Sequence, residues 1–206
     1  MVAITPGKFK RILFFLGIVM VLVVAMSVER IRQDIRLSKS TGEARSEFAS
    51  IERYPKAPPL PPLNIMGPER EAFNLSDYGG RYVLLNLWAT WCSPCIAELP
   101  DLQRLKNRYK DGSLVVLAVS VDNRKDMAGL AAFLKKHDLG PINPNHVALY
   151  HDFQGNIQKT IFFNELPMTF LIGPKGRILY QVKGPADWDS RKVIKFLDSV
   201  QKTKGY

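Results

Sequence analysis

The sequence predicts an α/β fold: a three-layer α/β/α sandwich with a mixed sheet and an N-terminal β-hairpin, preceded by one transmembrane helix. Three observations predict it. Tyr82 to Leu87, Leu114 to Val121, Met168 to Ile172 and Ile178 to Val182 are nearly continuous apolar runs of strand length, the composition of strands covered on both faces. Between and after them lie stretches of helical period: Cys95 to Tyr109 repeats Leu99, Leu102, Leu105 and Tyr109, and Met127 to His137 repeats Met127, Leu130, Ala131 and Leu134. The last two strands are joined only by Gly173-Pro174-Lys175-Gly176, too short for a crossover, so they pair antiparallel.

Taken in order, residues 1–11 form a basic N-terminal segment with Lys8, Lys10 and Arg11. Residues 12–28 follow, an apolar run of 17 residues from Ile12 to Val28 with no charge. Such a run meets the lower length for a membrane span and is long for a signal peptide, so it is read as an uncleaved anchor. Basic residues on both sides leave its sidedness open to the charge count. Residues 29–59 read as a linker, a simple stalk. Its first part has helical signals, the Ser40 and Glu43 capping spacing and a shared face of Phe48, Ile51 and Tyr54, and its end carries a proline cluster suited to an extended spacer. Residues 60–206 form the folded domain. It opens with the hairpin Leu63 to Met66 and Ala72 to Leu75 around Gly67-Pro68. Val147 to His151 is a short strand, Phe153 to Phe163 a short helix and Trp188 to Val200 a terminal helix.

Charge narrows the function. The chain has 29 basic and 19 acidic residues, a net +10, and half of that excess lies between Met1 and Lys56, beside the apolar run. This placement suits anionic lipid headgroups. No cluster of basic residues interleaved with aromatics marks a nucleic-acid groove.

The chemistry is concentrated in the two cysteines, Cys92 and Cys95, within Trp88-Ala89-Thr90-Trp91-Cys92-Ser93-Pro94-Cys95. They fall between a strand and a helix. There the unpaired amides and the helix dipole favour a Cys92 thiolate, which makes Cys92 the nucleophile. Cys95, one turn inside the helix, is placed to resolve a mixed disulfide. A structural disulfide, a buried pair and half of a zinc site compete with this reading. The closed loop is short and there is no second Cys-x-x-Cys, which disfavours the first and the last. His137, His146 and His151 read as surface or loop residues, and no metal site is assigned. Both thiolates with His151 form the least weak metal option, for copper(I).

These residues resemble the thioredoxin-like fold, and within it the TlpA/ResA-type membrane-anchored thiol-disulfide oxidoreductases, the TlpA branch most closely. The resemblance rests on Asn86-Leu87-Trp88-Ala89-Thr90-Trp91-Cys92-Ser93-Pro94-Cys95, on Glu98-Leu99-Pro100, and on Leu166-Pro167-Met168-Thr169-Phe170-Leu171-Ile172 with Gly176 following. Gly184-Pro185-Ala186-Asp187-Trp188 adds to it. The family pattern often has aspartate where this chain has Gly173. The resemblance implies that Glu98 is a buried carboxyl with a raised pKa, shuttling protons to and from Cys95. It implies that Pro167 is a cis-proline facing the dithiol, leaving the backbone of Leu166 to pair with an extended substrate segment. Trp91 is then an exposed aromatic of the substrate-binding face, whereas Trp88 is buried.

The implied activity is that of a protein-disulfide reductase with no cofactor beyond the redox-active Cys92–Cys95 pair. No histidine lies between the cysteines to stabilise the thiolate of a strong oxidant. The resemblance implies a single-pass protein of the cytoplasmic membrane with its domain in the periplasm. Its expected partners are a transmembrane reductant donor and a disulfide-containing substrate, either an apocytochrome c or a copper-site assembly protein. A copper-binding metallochaperone or docking module using the same dithiol is the alternative.

Overall fold

The computed structural model describes residues 6–44, 47–56, 58–60, 63–66, 72–122, 127–136, 150–152, 155–161 and 163–203. The turn at Gly67-Pro68, His137, His146 and the ends of the short strand and helix around them lie outside the described residues. Helix α1, Pro6–Ala44, is followed by β1, Phe48–Arg53, and by β2, Asn64–Met66, and β3, Ala72–Asn74. After a 3-10 turn at Leu75–Tyr78 come β4, Tyr82–Trp88, α2, Ser93–Arg108, β5, Leu114–Ser120, and α3, Met127–Lys136. The chain ends with β6, Tyr150–His151, α4, Asn156–Thr160, β7, Met168–Ile172, β8, Ile178–Ala186, and α5, Arg191–Lys202.

All the described strands join one mixed sheet in the order β1-β8-β7-β4-β5-β6-β2-β3. β4, β5 and β6 run parallel, while β7 runs antiparallel to β4 and β8 antiparallel to β7. The short connection Gly173 to Arg177 forces the reversal between β7 and β8, with Gly176 at φ 67° closing the turn in the left-handed region that glycine tolerates. The expected hairpin is β2–β3, at the far edge of the same sheet.

Alternation along the buried β4 divides the core into two clusters. Leu84 and Trp88 face α2 and α5 together with Leu99, Leu102, Phe196 and Leu197. Val83, Leu85 and Leu87 face the other way, against Phe170 and Ile157 of α4. Asn86 has the parity of Leu84 and Trp88, so its polar side chain is directed beneath α2. This placement governs the site.

The stretch read as a stalk is structured differently. Phe48, Ile51 and Tyr54, expected on one helical face, belong to or adjoin β1, which pairs antiparallel with β8 through Ser50↔Lys183 and Arg53↔Tyr180. Without that pairing the last strand would be a bare sheet edge. The segment around Pro58 and Pro59 is held down as well. Ile178 N donates to Pro58 O at 3.0 Å and Leu60 N to Gly176 O at 2.8 Å. The end of α1 packs on α5, with Leu37 only 1% exposed inside the core and Asp34 bound to Arg53 at 3.3 Å. The periodicity reading failed here because three apolar residues spaced by three suit a half-buried edge strand with a bulge as well as a helix. Leu37→Ala is therefore expected to destabilise the chain by about 2 to 4 kcal/mol in denaturant titration. On a free stalk it would change stability by less than about 0.5 kcal/mol.

The apolar run lies in the first half of α1, whose side chains from Phe15 to Val28 stand exposed. Among the described residues no helix is long and apolar enough to cross a membrane. The side chains of Ile12 to Phe14 fall outside that description.

Candidate active site

The parallel register that sets Trp88 beside Ser120 brings the C-terminal ends of β4 and β5 together, and the site is built there. The loop after β4 is pinned by Asp122. Its carboxylate accepts from Thr90 N at 3.0 Å, Thr90 Oγ1 at 2.8 Å and Ser120 Oγ at 2.6 Å. Cys92 N donates to Ala89 O at 3.1 Å, completing a tight turn into α2. Cys92 is the N-cap residue, with extended φ −96° and ψ 95°, and Pro94 occupies the first turn, where no amide partner is required. The two cysteines form a disulfide. Cys92 is 6% and Cys95 0% exposed, while Trp91 beside them is 71% exposed and Trp88 is buried.

One turn beyond Cys95 on the same face of α2 stands Glu98, 3% exposed. Three donors converge on it. Asn86 Nδ2 reaches Oε1 at 2.7 Å, and Ala186 N and the Trp188 indole Nε1 each reach Oε2 at 3.0 Å. Burial pushes the Glu98 pKa up to about 7; the hydrogen bonds from Ala186, Asn86 and Trp188 oppose that rise, and the charge of Asp101 adds to it. The result is a carboxyl that changes protonation near neutral pH. Asn86 also donates to Thr169 Oγ1 at 2.9 Å, tying the acid to the strand that follows Pro167.

The Leu166–Pro167 peptide bond is cis. Pro167 O is taken by Gly184 N at 2.9 Å, whereas no partner among the described residues engages the Leu166 backbone. His151 is not brought to the cysteines. Its Nε2 bonds to Asp122 O at 2.9 Å, and among the described residues no three metal-binding side chains converge.

Of the residues that the sequence singled out for chemistry, the start of α2 carries Cys92, Cys95 and Glu98 with Trp91 just ahead of it, and Leu166 and Pro167 precede β7; Asn86, Asp122 and Trp188 were not singled out as polar partners. Asn86 was the most visible of these: it is the one amide in an apolar strand, and a buried amide needs partners. Trp188 was read as an apolar helix residue, but it precedes the Ser190 cap and is turned so that its indole N–H meets the acid.

The AhpC/TSA family matches residues 58–181 of the chain. The thiol-disulfide oxidoreductase ResA of Oceanobacillus iheyensis is 34% identical over 121 residues, 59% of this chain and 59% of its own length. The ResA protein of Bacillus cereus is 32% identical over 137 residues, covering 66% of this chain and 75% of its own. A solved chain from Chlorobium tepidum, assigned as a thiol:disulfide interchange protein DsbE, superposes with a TM-score of 0.59 over 74% of this chain and 99% of its own, at 24% identity, a likeness of fold. The thioredoxin-like chain described here belongs to the AhpC/TSA family and is a relative of the ResA thiol-disulfide oxidoreductases.

Proposed function

We propose that this chain is a membrane-anchored protein-disulfide reductase acting on the periplasmic side of the cytoplasmic membrane. The observation that carries the proposal is the buried, protonatable Glu98 one turn from Cys95, in a helix that begins at Cys92. The Cys92 thiolate attacks one sulfur of a substrate disulfide, forming a mixed disulfide and releasing the other sulfur as a thiolate that takes up a proton. Cys95 passes its proton to Glu98 and attacks Cys92 Sγ. The Cys92–Cys95 bond closes and the second substrate thiolate leaves, to be protonated in turn. Two electrons have then moved to the substrate, and a dithiol donor in the membrane returns them to the pair.

Asn86 suits either state of the acid. Its Nδ2 serves the carboxylate, and its buried Oδ1, without a partner among the described residues, faces the proton of the carboxylic acid after a turn of the amide. Trp91 supplies an exposed aromatic contact beside Cys92, and the Leu166 backbone offers an extended substrate its hydrogen bonds. The exposed apolar surface of α1 from Phe15 to Val28 supports an anchor, because a helix apolar all round calls for lipid or protein cover. Apocytochromes c and copper-site assembly proteins are the proposed substrates.

The test is the reduction potential of the pair in the intact chain, equilibrated in glutathione and dithiothreitol buffers. A reductase is expected near the thioredoxin value of about −270 mV; a value near about −120 mV, that of a strong oxidant, would reverse the electron flow.

A further inference from the structure

The strand that precedes the family-matched region meets the residues that hold the catalytic acid. β1 ends its pairing on β8 with Phe48 opposite Ala186, and Asp187 N donates to Glu47 O at 3.1 Å. The Phe48 ring lies 5.7 Å from the Trp188 ring at 59°, and 5.9 Å from that of Phe196 at 76°. Ala186 N and Trp188 Nε1 are the two donors on Glu98 Oε2. Phe48 is thus one contact from both. The approach is close enough that a Cβ on Gly184 would stand 3.0 Å from Ala49 Cβ, so the glycine admits the strand. β1 also walls a surface cavity of about 560 Å³, open to solvent, whose other side is Pro94, Ala97 and Glu98 of α2.

We propose that β1, through Phe48, is a positioning element for the Glu98 carboxyl: it fixes Ala186 and Trp188 so that both donate to Oε2. The inference rests on the proton-shuttle reading of Glu98 and extends its machinery to a segment ahead of residue 58, where the family match begins. The donors stabilise the carboxylate, so loosening them raises the pKa. Water reaching the buried carboxyl from that open side would lower it. The direction of the change therefore separates positioning from simple covering.

Other charges near the acid are accounted for. Asp101 on α2 pairs with Arg104, which also binds Asp189, and Glu47 pairs with Lys192 at 2.9 Å. Asp187, in the connection to α5, lines the cavity beside Glu98, and Cys92 and Cys95 do not titrate while joined.

The experiment follows the Glu98 carboxyl stretch by infrared spectroscopy in the oxidised full chain in detergent micelles, from about pH 4 to about pH 9, isolated by subtracting the Glu98→Gln spectrum. The wild-type midpoint is expected at about 7. Trp188→Phe keeps an aromatic ring and removes the donor, and is expected to raise the midpoint by about one pH unit. Phe48→Ala is expected to raise it by about half a unit, with Phe48→Leu between it and the wild type. If Phe48→Ala does not fold, Phe48→Leu carries the same expectation. A midpoint that stays or falls in the folded Phe48 variants would overturn the proposal. The shuttle reading fails separately: an exchange rate whose pH profile is unchanged in Glu98→Gln would sink that reading, while the infrared midpoints would still decide whether Phe48 positions the acid.

Discussion

Cys92→Ser is expected to abolish disulfide exchange, and Cys95→Ser to halt it one step later with substrate covalently attached. The asymmetry follows from position. Cys92 caps α2, where the first-turn amides and the dipole favour a thiolate once the bridge is reduced, and it adjoins the exposed Trp91. Cys95 is fully buried one turn further in and meets only a sulfur already bound at Cys92. Loss of the nucleophile is expected to reduce turnover by at least about a thousandfold. Loss of the resolving thiol leaves the first attack intact, so mixed disulfides accumulate and are seen as reducible adducts on a non-reducing gel. Both variants forfeit the bridge, whose short loop contributes only about 2 kcal/mol. Unfolding therefore does not explain a difference between them. Adducts that formed through Cys95 in Cys92→Ser would invert the assignment.

How much of this was legible before any coordinates varies with the range of the signal. The central strands were readable because burial on both faces leaves continuous apolar runs, and β7 occupies Met168–Ile172 as expected. The antiparallel return was readable because so short a turn permits nothing else. The dithiol, Glu98 and Pro167 were singled out because each falls at a strand end or a helix start within a local pattern. What stayed hidden depends on contacts between distant segments. Phe48 to Arg53 pairs with a strand about 130 residues later, and neither partner carries a mark of the other. Trp188 meets Glu98 across 90 residues, and its indole N–H is invisible to a reading that counts it only as apolar. Asp122 would have been found by asking which polar residue ends the strand parallel to β4.

Glu98→Gln is expected to slow resolution by about a hundredfold, the lower end for a general acid–base group, and at the same time to make the oxidised chain more stable above neutral pH. The sign follows from the direction of the shift. An acid near 4.5 when unfolded and at about 7 when folded binds more protons in the folded state between those values. Its favourable contribution is complete below about pH 4.5 and is lost as the pH rises through about 7. The loss amounts to about 3 kcal/mol by pH 8. Glutamine does not titrate. Its carbonyl still accepts from Ala186 and Trp188, and its amide faces Asn86, whose Oδ1 is able to accept it. Denaturant midpoints at about pH 5 and about pH 8 should therefore separate in the wild type and coincide in the variant. Equal slopes in the two would show that Glu98 is not the titrating group. A variant that gains stability at about pH 8 while losing rate would mean that the carboxyl is kept buried at a cost to the fold, which makes sense only if proton transfer at Cys95 needs an acid with its pKa near 7.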